Sequence, residues 1–484
     1  MRLAELLQGV EIGADLGDLE IAGVSADSRD IREGFAFFAI PGFAGDGLSF
    51  VADAKARGAR MVVAPRAAPC DLPLLVVPDV RAALAKAAAK IYPRQPAAIA
   101  AVTGTSGKTS VVAFLRQLWL ALGCRAASLG TVGVVDDTGA HYGSLTTPGP
   151  VELHRTLDEL AQRGVTHLAM EASSLGIDQR RLDGVRLACA AFTNFSRDHL
   201  DHHRDMEEYF AAKIRLFDAL LTPGEIAVFD ADSDVAARVQ EVIKARGLKP
   251  FGVGFKGREI TLLETRPHAL ATGLTLRHAG VEYDVELPLA GSFQTANVLV
   301  AAGLAIASGG EPAGVFAALE KLQGAPGRLE FVGKRFDAPV FVDYAHKPDA
   351  LEKVLATVRP LAKGRLMVVF GCGGDRDRGK RPLMGEIAAR CADLVIVTDD
   401  NPRSEDPAMI RAAILAGAEG AGDAAIVEIG DRREAILAAV AQLRAGDALI
   451  VAGKGHETGQ IMGQVTVPFS DHDVVTAALQ EYAS

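Results

Sequence analysis

Residues 97–110 read AAIAAVTGTSGKTS. An apolar run leads into a turn bracketed by two glycines, and a helical pattern begins at the KTS that follows. This order predicts a strand, a phosphate-binding loop and a helix N-terminus, where backbone N–H groups and the helix dipole attract phosphate oxygens. Lys108 would supply a mobile cation, and the Thr109 hydroxyl is a suitable ligand for Mg²⁺.

The predicted loop is shorter than the common phosphate-binding motif. The pattern G-x-x-x-x-G-K-[ST] would place its first glycine at Val102, whereas the first glycine here is Gly104. A glycine-rich turn without a ligand is the alternative interpretation. The flanking strand and helix favour the phosphate loop, because that mechanism requires both of them.

Composition excludes several classes of protein. The chain has 484 residues, 49% of them hydrophobic and 23% charged, with a net charge of −10, so we expect roughly three globular domains and no nucleic-acid partner. The five cysteines form no CxxC motif, which indicates reduced thiols in a cytoplasmic protein. We expect no signal peptide and no membrane span, because no apolar run approaches about 18 residues.

We predict an α/β fold of three domains, bounded by residues 1–92, 93–325 and 326–484. In the first domain, short apolar runs predict strands, and residues 80–91 predict an Ala-rich helix before the proline-rich linker IYPRQP. In the central domain, strands alternating with helices indicate a mostly parallel, mononucleotide-binding sheet. Residues 273–289 alternate polar and apolar side chains, which is more typical of an antiparallel insertion.

The last domain repeats the alternation of strands and helices. Its apolar runs are residues 340–342, 366–370, 394–398, 425–429 and 448–452, which predict a Rossmann-like, doubly wound sheet. Ligands of such sheets bind outside the carboxyl ends of the strands. Polar motifs that directly follow a predicted strand are therefore the candidates for a site.

Three features of the central domain could carry chemistry. Glu171, in MEASS, could hold a metal near phosphate groups, although a surface glutamate beside a capping serine pair fits equally well. The motif TNFSRDHLDHH, residues 193–203, is dense in Asp and His, and we select His199 as a ligand. Zinc is less suitable there because no cysteine or regular His spacing completes a tetrahedral site. The helical pattern around Lys213 predicts only a solvated lysine.

Four polar loops follow strands of the last domain: VDYAHKPD, VFGCGGDRDRGKRPLMG, TDDNPRSEDP and VAGKGHE. Ordinary strand–helix turn chemistry explains any one of them. Together they predict a pocket for a zwitterionic or carboxylated ligand, because the guanidinium group of arginine binds carboxylates with two hydrogen bonds. The charged residues of these loops are Arg376, Arg378, Arg381, Arg403, Lys454 and Glu457.

In this order, the motifs resemble those of the Mur ligase family, the ATP-dependent amide-bond-forming enzymes of peptidoglycan precursor synthesis. The resemblance spans essentially the whole chain. The motifs that carry it are DSR, TGTSGKTS, TTP, EASS, TNFSRDHLDHH, GRLE, DYAHKPD, GCGGDRDRGKRPLMG, DNPR and AGKGHE. DNPR resembles the mark of members that add meso-diaminopimelate, rather than lysine, to the D-Glu of UDP-N-acetylmuramoyl-L-Ala-D-Glu.

The resemblance implies ATP and Mg²⁺ as cofactors, small-molecule substrates and a monomer in the cytoplasm. The implied ATP site is Gly104, Thr105, Ser106, Gly107, Lys108, Thr109, Ser110, Asn297, Arg328 and Asp343. The UDP-substrate site is Ser28, Phe43, Thr146, Thr147, Ser173, Gln179 and Arg181. The diaminopimelate site is Arg376, Asp400, Asn401, Pro402, Arg403, Gly453 and Glu457. The metal ligands are Thr109, Glu171, His199 and Lys213, the last as a carbamate, and the catalytic residues are Lys108, Lys213 and His199.

Two positions depart from the family pattern: Ser106 stands where asparagine is frequent, and Leu175 where histidine is frequent. The nearest rival is a related ligase such as folylpolyglutamate synthetase, which the spacing of Ser173, Gln179 and Arg181 and the DNPR motif disfavour. A lysine-adding member would differ mainly at DNPR. A P-loop switch or transport ATPase would need the full loop spacing, and a nucleotide-binding scaffold would leave the arginine-rich loops unexplained.

Overall fold

A computed structural model describes residues 1–13, 16–42, 45–141, 143, 145–198, 202–268 and 270–482. In this part of the chain the strands form four sheets, and the predicted α/β class is confirmed. The chain divides into two compact units. The first comprises residues 1–264, 275–285 and 296–319, and the second comprises residues 265–274, 286–295 and 320–484. The boundaries of the three predicted domains stay a prediction.

The N-terminal segment forms a small parallel sheet with helices. Its strands pair in the order β1-β2-β3-β4. The elements are α1 (Leu3–Leu6), β1 (Gly23–Ser25), β2 (Phe35–Phe38), α2 (Val51–Ala56), β3 (Ala59–Ala64), β4 (Leu74–Val76) and α3 (Val80–Ile91). The α3 bounds match the prediction, because Asp79 caps the helix by accepting a hydrogen bond from the Ala82 amide and a Tyr-Pro pair ends it.

The central segment is longer and begins with the phosphate-loop strand. Its first elements are β5 (Ala98–Thr103), α4 (Lys108–Ala121), β6 (Ala126–Gly130), β7 (Gly133–Asp136), β8 (Gly139–His141), α5 (Pro150–Gln162), β9 (His167–Glu171), α6 (Ser174–Asp178) and β10 (Cys189–Phe192). They are followed by α7 (Met206–Arg215), β11 (Ile226–Asp230), α8 (Ala236–Ala245), β12 (Lys249–Gly254), β13 (Ile260–His268), β14 (Ala271–His278), β15 (Val281–Leu287), α9 (Ser292–Ala307) and α10 (Pro312–Leu319).

Strand β5 lies in the middle of this sheet, between β9 and β10, and all three strands are parallel. The register sets Val102 beside Glu171 and Thr103 beside Phe192. The phosphate loop therefore leaves the sheet between the carboxyl ends of two neighbouring strands. The order continues through β11 and β12 on one side and through β6, β7 and β8 on the other.

The predicted antiparallel insertion is a hairpin of β14 and β15. Its two-residue turn, Ala279 and Gly280, has both φ angles positive (48° and 82°), as a type I′ hairpin turn requires. The hydroxyl of Thr275 donates a hydrogen bond across the strands to Asp284, at 2.7 Å. The insertion therefore pairs its two strands in opposite directions.

The C-terminal segment builds a six-stranded sheet in the order β16-β17-β21-β18-β19-β20, antiparallel only at β16. Its first elements are β16 (Glu330–Arg335), β17 (Ala338–Asp343), α11 (Pro348–Val358), β18 (Leu366–Phe370), α12 (Lys380–Cys391), β19 (Leu394–Val397), α13 (Pro407–Ala418) and β20 (Ala425–Glu428). The remainder are α14 (Arg432–Ala441), β21 (Ala448–Ala452), β22 (Gly459–Met462), β23 (Val465–Pro468) and α15 (Asp471–Glu481).

This sheet is doubly wound, as predicted. Val368 and Phe370 enter an apolar core with residues of α11, α12 and α13, whereas Met367 and Val369 enter a second core with residues of α14 and α15. Alternate side chains of one strand thus serve opposite faces of the sheet. Each of the four predicted polar loops begins at the carboxyl end of β17, β18, β19 or β21. Across the described ranges, no helix combines the length and apolarity needed to cross a bilayer.

Candidate active site

The phosphate loop has a backbone that only glycine fits at two positions. Gly104 and Gly107 have φ angles of 141° and 85°, which L-residues rarely adopt. A Cβ atom at Gly104 would collide with the hydroxyl of Thr193, and one at Gly107 would collide with the side-chain Oδ1 atom of Asn297. The loop therefore packs directly against the segment after β10 and against α9.

The segment after β10 holds the loop by hydrogen bonds. The Thr105 amide donates to the Asn194 carbonyl and the Ser106 amide to the Asn194 side chain, both at 2.9 Å. The Thr193 hydroxyl donates to the Ser106 carbonyl at 2.7 Å. These contacts preorganise the loop and leave the first turn of α4 as its positively polarised end.

Two lysines converge on one carbonyl oxygen of the loop. Lys108 donates to the Gly104 and Thr105 carbonyls, each at 2.9 Å, and Lys213 donates to the Gly104 carbonyl at 2.8 Å. Lys213 is only 1% exposed, so the expectation of a solvated lysine is wrong. Its Nζ lies 4.3 Å from the ring centroid of Tyr209, whose hydroxyl donates to Thr105 at 3.4 Å. Burial raises the pKa of the Tyr209 hydroxyl, which keeps it protonated.

Glu171 is also buried, with 1% exposure, so the alternative of a surface glutamate is wrong. Its carboxylate accepts hydrogen bonds from the Thr131 amide at 2.8 Å and the Thr131 hydroxyl at 3.1 Å. Thr109 is buried at the start of α4. No group of three or more His, Cys, Asp or Glu side chains could hold a metal within the ranges that the structure covers, and His199 lies outside them.

A second network lies at the carboxyl end of β9. The Thr147 hydroxyl donates to the Glu171 carbonyl at 3.0 Å and lies 3.1 Å from the Ser173 hydroxyl. The Arg181 guanidinium donates to the Thr147 carbonyl at 2.6 Å and to the Gln179 side chain at 2.7 Å. The Thr146 hydroxyl reaches Thr131 at 3.1 Å, so this network joins that of Glu171.

Of the two predicted N-terminal contacts, the structure describes one. Ser28 is buried at the start of a 3₁₀ turn, where Asp27 accepts a hydrogen bond from the Arg29 amide. A hydrogen bond from Ser28 lowers the pKa of the Asp53 carboxyl. Phe43 lies outside the described residues.

In the second unit, Asp343 ends β17 and is buried. Its carboxylate accepts hydrogen bonds from the Leu329 amide at 2.6 Å and the Ala345 amide at 2.7 Å, and burial raises its pKa. The Arg328 guanidinium lies 4.5 Å from the ring centroid of Tyr344. These contacts join the GRLE motif to the DYAHKPD loop.

The DNPR and AGKGHE loops share a buried cluster. Lys454 donates to the Asn401 Oδ1 atom at 2.9 Å and to the Glu457 Oε2 atom at 3.2 Å. The Asn401 Nδ2 group donates to the same Glu457 oxygen at 2.9 Å. Gly453, with a φ angle of 117°, lies so near Asp400 that a Cβ atom would come within 2.7 Å of its Oδ2 atom. Within the described chain, that buried oxygen has no hydrogen-bond partner.

Arg403 is held between β22 and the loop after β18 by its backbone amide and its guanidinium. Its amide donates to the Ile461 carbonyl at 3.0 Å, and its guanidinium donates to the Gly374 carbonyl at 2.8 Å. A Cβ atom at Gly374 would collide with the carbonyl of Pro402, so these loops pack backbone against backbone. Arg376, by contrast, is exposed.

The sequence analysis did not single out several residues that contact the phosphate loop, Glu171 or the DNPR loop. Thr131, Asn194, Tyr209 and Ile461 contact predicted site residues. Asn194 lies in the quoted TNFSRDH motif, which could have indicated it. Nothing in the local pattern around Thr131 or Ile461 distinguishes them, because each contacts its partner through the fold.

Three family descriptions match consecutive parts of the chain. Residues 20–95 match the "Mur ligase family, catalytic domain", residues 102–305 the "Mur ligase middle domain", and residues 327–455 the "Mur ligase, glutamate ligase domain". Their order agrees with the order of the sheets described above.

Two curated relatives and one solved structure, each matched over nearly its whole length, carry the same name. The chain is 56% identical to the UDP-N-acetylmuramoyl-L-alanyl-D-glutamate–2,6-diaminopimelate ligase of Bradyrhizobium diazoefficiens, over 99% of both chains. It is 55% identical to the ligase of the same name from Mesorhizobium japonicum, over 100% of both chains. A solved structure with that name covers 99% of both chains at 33% identity, with a TM-score of 0.72. This chain therefore belongs to the Mur ligase family.

Proposed function

We propose that this chain joins meso-diaminopimelate to the γ-carboxylate of D-Glu in UDP-N-acetylmuramoyl-L-Ala-D-Glu, with cleavage of ATP to ADP and phosphate. The observation that carries the proposal is the likeness over 99% of the chain, at 56% identity, to a ligase named for these substrates. As a Mur ligase, the chain is an ATP-dependent amide-bond-forming enzyme. Because the substrates are nucleotide-linked intermediates and ATP, we place the reaction in the cytoplasm.

ATP would bind at the phosphate loop. Lys108 and the first turn of α4 supply positive charge there, and the loop backbone is already held by Asn194. Asn297 packs against Gly107 and is suited to contact the nucleotide beside the loop. Arg328 and Asp343 are the further residues that we propose for ATP binding. The remaining loop residues of the proposed site are Gly104, Thr105, Ser106, Thr109 and Ser110.

Mg²⁺ fits the side chains beside the loop. Glu171 and Thr109 offer buried oxygen atoms, the ligand type that Mg²⁺ prefers, and phosphate oxygens would complete its coordination. His199 and Lys213, the latter as a carbamate, are the further proposed ligands. When bound, the ion would neutralise charge that develops on the transferred phosphoryl group.

The UDP-muramoyl substrate would bind along the carboxyl end of β9. Thr147, Ser173, Gln179 and Arg181 form a continuous hydrogen-bonded network there, and Thr146 links it to the Glu171 carboxylate through Thr131. This network supports binding of the D-Glu end beside the phosphate loop. Ser28 and Phe43 would hold the uridine end.

Diaminopimelate would bind among the loops of the last sheet. Arg403 and Arg376 are suited to its carboxylates, and Glu457 is suited to an ammonium group. The proposed site is completed by Asp400, Asn401, Pro402 and Gly453. The close packing of these loops supports a pocket of fixed geometry.

The chemistry follows in two steps. A γ-carboxylate oxygen of D-Glu attacks the γ-phosphorus of ATP, and ADP leaves as an acyl phosphate forms. The free amine of diaminopimelate then attacks the acyl carbon, phosphate leaves with the bonding electron pair, and the nitrogen loses a proton. Lys108 would stabilise the charge on the transferred group, since catalysis of phosphoryl transfer is mostly positioning and neutralisation.

The test is phosphate release from ATP in the presence of UDP-N-acetylmuramoyl-L-Ala-D-Glu with meso-diaminopimelate, with L-lysine, or with no amine. We expect release only with diaminopimelate and only when the UDP substrate is present. Release with lysine alone would overturn the amine assignment but keep the reaction. Steady release that depends on neither substrate would overturn the proposal.

A further inference from the structure

Lys454 is a fully buried lysine, with 0% exposure, inside the DNPR–AGKGHE cluster. Lysine is rarely buried completely unless its charge is paired. Its ammonium group contacts Asn401 Oδ1 at 2.9 Å and Glu457 Oε2 at 3.2 Å. A buried cation between two residues of one proposed site needs an explanation beyond turn chemistry.

The donors around Asn401 fix the orientation of its amide. The Lys454 ammonium and the Ile461 backbone amide can only donate, and each lies 2.9 Å from the same Asn401 atom, which must be the oxygen. The Glu457 carboxylate can only accept, so it faces the Asn401 nitrogen, at 2.9 Å.

The same contacts give the two oxygen atoms of the Glu457 carboxylate different surroundings. Among the described residues, both of its side-chain hydrogen bonds arrive at Oε2, from Lys454 and Asn401. Oε1 takes part in neither, and the Glu457 side chain keeps 31% exposure. One oxygen is thus anchored inside the protein, while the other belongs to a partly exposed carboxylate and takes no hydrogen bond from a described side chain.

We propose that Lys454 is a positioning residue that anchors Glu457 through Oε2, so that Oε1 accepts an ammonium group of the incoming amine. This inference rests on the proposed function. Asn401 then also acts through Glu457, because both lone pairs of its oxygen and one of its N–H groups are already used inside the protein. The reach of Glu457 is set before the amine arrives, which lowers the entropy lost on binding.

The test is steady-state kinetics of K454M, a variant of similar length without the charge. We expect the KM for meso-diaminopimelate to rise about tenfold or more, because the charge-assisted hydrogen bond that anchors Glu457 is lost. A tenfold rise corresponds to about 1.4 kcal/mol of binding free energy. The KM values for ATP and for the UDP substrate should stay within about twofold of wild type. A lower melting temperature with an unchanged KM for diaminopimelate would overturn the inference, and absent diaminopimelate-dependent turnover in wild type would overturn the proposed function instead.

A double-mutant cycle separates positioning from a merely structural role. In an E457Q background, K454M should not raise the KM for diaminopimelate further, because Lys454 acts through Glu457. If K454M raised the KM for diaminopimelate by the same factor in the wild-type and E457Q backgrounds, Lys454 would not act through Glu457. Removing both charges also costs less stability than removing one, so K454M/E457Q can be compared with E457Q if K454M does not fold.

R365M is the matched control. It breaks the Arg365–Asp447 ion pair, 2.7 Å long, which lies at the amino ends of β18 and β21, whereas the DNPR–AGKGHE cluster lies at the carboxyl ends of strands of the same sheet. It should lower the melting temperature and leave the KM for diaminopimelate unchanged. A rise in that KM for R365M equal to the rise for K454M would show that general loosening of the sheet explains both, and would overturn the inference.

Discussion

The ammonium group of Lys213 donates a hydrogen bond to the Gly104 carbonyl 2.8 Å away, although 109 residues separate the two along the chain. Lys108 donates to the same carbonyl at 2.9 Å. The helix that carries Lys213 is therefore tied to the phosphate loop. A change at Lys213 is expected to act directly on this loop, where we propose that ATP binds.

K213A should abolish turnover, with a loss of about a hundredfold or more in kcat, because the variant lacks both the loop contact and the group that carbamylation would convert to a carboxylate. Short carboxylic acids should restore part of the activity by taking the place of the carbamate. K244A, which removes an exposed lysine of α8, is the control and should be fully active. Full activity of K213A would exclude the carbamate role.

Arg403 has a φ angle of 51°, in the left-handed region that strains the backbone of an arginine. R403A should raise the KM for meso-diaminopimelate about tenfold or more while sparing that for ATP, because the guanidinium is lost. R403G removes the same guanidinium and also relieves the backbone strain. It should therefore have the same KM for meso-diaminopimelate as R403A but a higher stability than R403A. A normal KM in R403G would attribute the effect of R403A to the loop backbone.

The outcome of sequence reasoning differed between elements for physical reasons. The helix over residues 80–91 and the strands β18 and β21 were predicted with their observed bounds. The helix lies between the Asp79 cap and a Tyr-Pro pair, and each strand is an uninterrupted buried run. The β22–β23 hairpin was missed because β23 is exposed throughout, so no burial pattern marks it.

The candidate site shows the same division. The turn between β5 and α4 could be predicted because its glycines are a local signal. Gly104 and Gly107 indeed have positive φ angles, which glycine adopts without strain. The burial of Lys213 and Lys454 could not be predicted, since lysine is usually exposed and the compensating partners come from other parts of the chain. Thr131 holds Glu171 from 40 residues away, which only the pairing of β6 with β9 brings about.

Asp230, at the end of β11, should make stability depend on pH. Burial raises the pKa of its carboxyl from 3.8 to about 6. The folded protein therefore binds the proton more tightly than the unfolded chain, and this contribution is complete below pH 3.8 and lost as pH rises through about 6. D230N keeps an oxygen for the Asp232 amide, which donates at 3.0 Å, and removes the partly buried charge.

We therefore expect D230N to be more stable than wild type by about 1–2 kcal/mol at pH 7.5, with the difference shrinking towards pH 4. Denaturant unfolding at a series of pH values measures it. D234N, which changes an exposed aspartate of the same loop, should show no such trend. A constant difference between D230N and wild type across this range would contradict the assignment.

Glu405 should give the opposite pH dependence. Arg381 binds its carboxylate through two hydrogen bonds, of 2.9 and 3.1 Å, and the Asp375 amide donates to it at 2.6 Å. These contacts, Arg381 first, lower the pKa of Glu405 from 4.5 to about 2. The stabilisation is present above pH 4.5 and is lost as pH falls towards 2, because the unfolded chain takes up the proton first.

E405Q should therefore melt at a lower temperature than wild type at pH 7, and the gap should close as pH falls from about 5 to about 2. Glu405 also joins the GCGGDRDR loop to the residues just after DNPR, so E405Q should raise the KM for meso-diaminopimelate more than that for ATP. D423N alters an exposed aspartate of the same unit and should change neither quantity. A gap in melting temperature that stays constant down to about pH 2 would mean that the Glu405 charge does not stabilise this pair of loops.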